Sequence, residues 1–178
     1  MSNPIPPSPS TLDARRASAD LEIADDGSWY RFVRVFGASP ERVFRAFTEP
    51  ADLRVWFPAG APPGSEMTIC ESDAVVGGAY RYVMTVPEFG EMSWFGTYTA
   101  VDRPHHLGAD EWFVMGPGEP SGPGSRQTLD FRAIADGLTE MTMRVELAEP
   151  EDPDTLREQA GAGLGSSLAE LDALVSPD

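Results

Sequence analysis

The sequence predicts an α+β domain in which a strongly curved antiparallel sheet of about seven strands wraps around one long C-terminal helix. Three observations lead there. Between residues 39 and 58, "SPERVFRAFTEPADLRVWFP", apolar residues recur at helical spacing in two short bursts, each opened by a proline. From residue 66 to about residue 147 the apolar period falls to two, the spacing of strands with one buried and one wet face. The final stretch then carries a single apolar stripe at helical spacing.

Taken in order, residues 1–20 are rich in Pro and Ser and are expected to form a disordered tail, leaving residues 21–178 as one domain. Asp26-Gly27 is a turn signal, and Tyr30, Phe32, Val33, Val35 and Phe36 make the first strand. Ser39 caps a helix with Pro40 at its first position, and Val43, Phe44 and Phe47 form its buried stripe. Pro50 opens a second helix, in which Leu53, Trp56 and Phe57 share one face before Pro58 stops it. Helices this short are not stable alone in water, so both must lean on a sheet. Six further strand candidates follow: "EMTICESDAVV", "GGAYRYVMTVP", "EMSWFGTYTAVD", "HLGADEWFVM", "RQTLDFRAIAD" and "LTEMTMRVELAE", the last two forming a hairpin about Asp136-Gly137. Asp152-Pro153 starts the last helix, with Leu156, Ala160, Leu164, Leu168, Leu171 and Val175 as its stripe. At 1.5 Å per residue its length is roughly 35 Å.

Composition removes several function classes. The net charge is −16, and the cations are 13 Arg with no Lys and no basic cluster beyond Arg15-Arg16. Neither nucleic acid nor an anionic membrane is an expected partner, since phosphate backbones are bound by clustered cations. No apolar run approaches the roughly 18 residues that span a bilayer, and the N-terminus has no apolar core of a signal peptide. A cytoplasmic location is expected, in keeping with the lone Cys70, which has no disulfide partner in the chain. Absence of Lys beside many Arg, Ala, Gly and Pro suggests a GC-rich bacterial genome. His105 and His106 are adjacent, so on a strand they point to opposite faces, and no spacing matches a metal site. "GAGLGSS" lacks the lysine and the preceding strand of a phosphate loop.

With these elements in place, "ASPERVFRAFTEPADLRVWF", "GGAYRYVM" and "FGTYTAVDRPHHL" resemble the SRPBCC superfamily, the START/Bet v 1-like helix-grip fold. Within it the chain looks like the branch related to the C-terminal domain of the Hsp90 ATPase activator, called AHSA1-like. Relatives often carry Gly-Trp in the last helix where this chain reads Gly163-Leu164. The resemblance implies a hydrophobic cavity between the concave face of the sheet and the long helix, with the two short helices closing one end. Trp56 and Phe57 then stand at a lid or wall. The activator's separate N-terminal domain has no counterpart here, so an Hsp90-type chaperone is not the expected partner.

Alternation gives the cavity-facing residues as Tyr80, Tyr82, Met84, Trp94, Tyr98, Trp112, Phe131, Met141 and Met143, faced by Leu164 and Leu168 from the helix. With Trp56 and Phe57 these form the expected ligand-binding set; a plain packed core is the competing interpretation of the same residues. Gly161, Gly163 and Gly165 suit either a close approach or flexible entrance, or a local unwinding of the helix. Carboxylates are assigned to turns and outer faces, and no catalytic residue or cofactor is assigned. The expected function is binding of a small hydrophobic or aromatic molecule by a monomer or homodimer. Two alternatives stay open: a cyclase-, aromatase- or hydrolase-like enzyme of the same fold, and a co-chaperone-like interaction module.

Overall fold

The computed structural model of the chain describes residues 10–176. Its order is α1 (Leu12–Ala17), β1 (Asp20–Ile23), β2 (Trp29–Phe36), α2 (Pro40–Thr48), α3 (Pro50–Trp56), a 3-10 turn (Phe57–Gly60), β3 (Glu66–Ser72), β4 (Ala79–Val86), β5 (Gly90–Asp102), β6 (His106–Met115), β7 (Ser125–Ala135), β8 (Leu138–Glu146), α4 (Pro153–Glu158), a π-helical segment (Gln159–Leu164) and α5 (Gly165–Val175). The eight strands form one open sheet in the order β1-β2-β8-β7-β6-β5-β4-β3, with every neighbouring pair antiparallel. The α+β helix-grip architecture expected from the sequence is the one observed.

The short helices carry the chain from β2, next to one edge of the sheet, to β3 at the other edge. Ser39 caps α2 by accepting from the Arg42 amide, and Pro40 and Pro50 occupy first-turn positions where no N–H is needed. Neither helix is independent. Val43 is buried, Phe44 packs on Phe131 and Phe47 on Phe36 and Phe131, with ring centroids 5.5–6.5 Å apart. The Trp56 indole N–H donates to the Ala46 carbonyl at 2.8 Å, tying α3 back onto α2.

Two expectations need correction. The first is the tail. Residues 1–9 lie outside the described residues, but residues 12–17 are helical and Asp20–Ile23 is a strand, which makes the sheet eight-stranded rather than seven-stranded. The physical reason is Arg15. Its Nε meets the fully buried Asp172 carboxylate of α5 at 2.9 Å, and its Nη2 donates to Ser176. Asp172 also accepts from the Gly37 amide at 2.9 Å. A buried carboxylate needs such partners, and composition alone carries no sign of them. The second is the last helix, expected as continuous and found as two α segments joined by π-helical residues 159–164. Gly161 and Gly163 lie in that joint and Gly165 opens α5. A side chain on any of the three would meet nothing within 4 Å, so these glycines accompany a change of helical pitch and not a close approach of the sheet.

Candidate functional site

The concave face is set by register. Tyr80 on β4, Gly96 on β5, Glu111 on β6 and Ser125 on β7 are successive partners across four strands. In the neighbouring row Tyr98, Ala109, Gln127, Val145 and Tyr30 are successive partners. Phe57, thrown inward by the 3-10 turn, packs on Tyr82 and Trp94 with ring centroids 5.2 and 5.1 Å away. The π segment contributes Gln159, Ala160, Gly163 and Leu164 to the opposite wall. Between these surfaces lies a cavity of about 570 Å³, within the usual range for a small-molecule site. Exposed Phe89 and Phe113 stand at its rim.

The 3-10 turn is held by α5. The Ser167 hydroxyl donates to the Phe57 carbonyl at 3.0 Å and accepts from the Gly60 amide at 3.1 Å. A Cβ at Gly60 would run into the Gly163 carbonyl, so only glycine lets the turn sit on the π segment.

Of the thirteen residues expected at the site, nine line the cavity: Trp56, Phe57, Tyr80, Tyr82, Met84, Trp94, Tyr98, Met143 and Leu164. Phe131, Met141 and Leu168 are buried but belong to the solid core under α2 and α5. Their alternation was right and their depth was not: α2 fills the space above that end of the sheet, where Phe44 and Phe47 meet Phe131. Trp112 is corrected outright. It partners Phe95 on the outer face, and its indole donates to the Gly122 carbonyl at 3.1 Å. The inward residues of β6 are Leu107, Ala109, Glu111 and Phe113, one position out of phase with the choice of Trp112.

That phase hides the most unusual group in the site. Glu111 lines the cavity, and its Oε2 accepts from the Tyr80 hydroxyl at 2.6 Å. Burial raises its carboxyl above the ordinary value of 4.5, while the bond from Tyr80 pulls the other way. The Tyr80 ring reaches Glu111 by lying across Gly96, where a Cβ would overlap the ring. Burial, with the Glu111 charge nearby, also raises the hydroxyls of Tyr30 and Tyr80, so both stay neutral across the physiological range. The alternation Leu107-Ala109-Glu111-Phe113 was the available signal: a carboxylate in an otherwise apolar strand face. Tyr98, whose hydroxyl is 2.9 Å from Ser72, adds a second polar point.

Other sequence candidates fall elsewhere. Cys70 is a buried free thiol, raised by burial. His106 pairs with Asp130 of β7 at 2.7 Å, and His105 is exposed. Among the described residues no three metal-ligating side chains gather, and no helix is long and apolar enough to cross a membrane.

Comparison with known proteins agrees with this architecture. The family model described as activator of Hsp90 ATPase homolog 1-like protein matches residues 37–176. No curated protein matches the chain in sequence. Among solved structures, a Mycobacterium smegmatis protein is 24% identical with a TM-score of 0.73, covering 89% of this chain and 97% of its own. A Rhodobacter sphaeroides protein is 28% identical with a TM-score of 0.69, covering 87% and 97%. An HSP90 activator from Plasmodium falciparum is 17% identical with a TM-score of 0.59, covering 83% and 96%, a likeness of fold.

Proposed function

The chain belongs to the activator of Hsp90 ATPase homolog 1-like family, and from that premise we propose that it binds a small, largely apolar, ring-containing molecule between the sheet and the C-terminal helix. One observation carries this reading: the fold packs Phe131, Met141 and Leu168 solidly yet leaves about 570 Å³ open beside them, walled by Phe57, Tyr80, Tyr82, Trp94 and Tyr98. A hollow of that size forfeits packing contacts that a filled core would have, and a guest would restore them. The ligand-binding set is Trp56, Phe57, Tyr80, Tyr82, Met84, Trp94, Tyr98, Met143 and Leu164, enlarged by Glu111 and Tyr30. A cytoplasmic monomer or homodimer is the setting this reading assumes.

The test is a titration with a neutral naphthalene dye, paired with native mass spectrometry of freshly purified protein. Saturable fluorescence at micromolar dye, or a retained mass above that of the chain, is the expected result. A protein that carries no added mass and leaves the dye dark would reject the reading.

The Tyr80–Glu111 bond at 2.6 Å favours a second reading, an enzyme of the same fold in which this pair moves a proton on a bound substrate. Turnover abolished by Glu111→Gln with ligand affinity retained would be its mark. The Plasmodium falciparum neighbour is an HSP90 activator; an interaction module would use a filled core and an exposed apolar patch, whereas the cavity here is open.

A further inference from the structure

The chemistry of the cavity wall restricts the guest further, taking the cavity as the binding site proposed above. Its charged lining is entirely acidic. Glu111 lies within it and exposed Glu151 stands at its mouth, while no arginine or histidine lines it among the described residues. Tyr80 donates to Oε2 of Glu111, and no other hydrogen-bond donor among the described residues reaches that carboxylate, which leaves Oε1 without a partner. An ionised carboxylate in such a place has no counter-charge from the protein, which a bound cation would supply. Around it stand aromatic faces: Tyr80 and Tyr82 are stacked with centroids 4.9 Å apart, and Tyr98 lies 5.2 Å from Tyr80. Ring faces carry negative potential and attract a cation within about 6 Å of the centroid.

A fatty acid or other anion entering this space would meet a carboxylate and neutral hydroxyls, with no cation to receive it. A protonated amine would meet all that the wall offers: Oε1 for a charge-assisted hydrogen bond, ring faces for the cation, and apolar surface for its body. We propose that the cavity selects organic cations, protonated amines on an apolar, ring-bearing body, and discriminates against anionic amphiphiles, with Glu111 as the counter-ion.

Binding of a cation favours ionised Glu111, so the protein releases a proton on binding wherever the free carboxyl is still protonated. Amine affinity therefore weakens as pH falls through the titration of Glu111. The groups facing that carboxyl are Tyr80 and Tyr82 from β4, Tyr98 from β5, Tyr30 from β2, Ser125 from β7 and Glu151 from the segment before α4. The tyrosines do not ionise in that range. Glu151 remains the one competing carboxylate, and a Glu111 variant separates the two.

The test uses the full-length chain and three fluorescent probes with one naphthalene-alkyl body, ending in a primary amine, an alcohol or a carboxylic acid. At pH 7.5 the amine should bind about tenfold or more tightly than the acid, with the alcohol between them. Glu111→Gln, whose amide can still accept from Tyr80, should bring the amine-to-alcohol ratio close to one and remove the pH dependence of amine binding. An acid that binds as well as the amine to the wild-type protein overturns the charge selection, whatever the variant does. So does a variant that keeps the wild-type amine-to-alcohol ratio. In both cases an alcohol that still binds leaves the cavity reading standing. If none of the three probes binds, the cavity reading falls, and the selection with it.

Discussion

At the scale of single residues, Glu111 and Gly96 make opposite demands. Glu111 places a carboxyl where burial raises its titration above 4.5. In the unfolded chain it titrates near that ordinary value, so between the two the folded state holds more protons. Stability from this group is present at low pH and is lost as pH rises through the raised value. Thermal melts of the wild type and Glu111→Gln from pH 4 to pH 8 should therefore diverge, with the variant gaining on the wild type as pH increases. Equal pH slopes would mean that Glu111 is solvated. Gly96 supplies only space. Gly96→Ala puts a methyl into the Tyr80 ring, so it should cost about 1–3 kcal/mol and break the Tyr80–Glu111 bond, visible as a changed Glu111 titration by NMR. Nothing in the pattern around Gly96 tells why it is glycine. That reason is the Tyr80 ring, on the preceding strand in sequence and directly opposite Gly96 in the sheet.

At the scale of elements, the two proline-opened helices were legible because their signals are local: a cap, a first-turn proline and an i, i+3, i+4 stripe at Leu53, Trp56 and Phe57. The phase of β6 was not. "HLGADEWFVM" offers apolar residues on both faces, since Trp112 finds cover against the loop at Gly122, and hydropathy cannot choose between them. The last helix was read as continuous because a stripe at four-residue spacing, Leu156-Ala160-Leu164-Leu168, fits α and π geometry nearly alike over one turn. The glycines there give a direct check. A side chain at Gly161 meets open space, so Gly161→Ala should raise stability by about 0.4–1 kcal/mol through the unfolded chain's lost freedom. A fall in melting temperature would instead show that the π segment needs glycine's backbone.

At the scale of the whole molecule, a curved antiparallel sheet wrapped around the C-terminal helix followed from the element sequence, whereas the place of the N-terminal residues did not. Pro and Ser content described the first residues, but a single ion pair decides where order begins. Arg15→Ala leaves Asp172 buried with the Gly37 amide, the Ser176 hydroxyl and Arg34, 4.0 Å away, as its remaining company. Losing one partner of such a pair should cost about 3 kcal/mol, read as a melting temperature lower by roughly 6–12 °C. A loss below 1 kcal/mol would return the segment to the status of a tail. The strand that this anchor leads into matters for colloidal behaviour as well. β1 is four residues long, carries Asp20 and Glu22, and covers Tyr30–Val33 of β2. On the far edge, β3 is interrupted by a bulge between Met67 and Ile69. Short, charged or bulged margins are how open sheets avoid pairing with one another. Without β1 the margin becomes "WYRFVRVF", in which six of eight residues are aromatic or branched, and the pairing groups of Tyr30–Val33 are laid open. A chain starting at residue 24 should therefore self-associate and scatter light at concentrations where the full-length chain stays monodisperse.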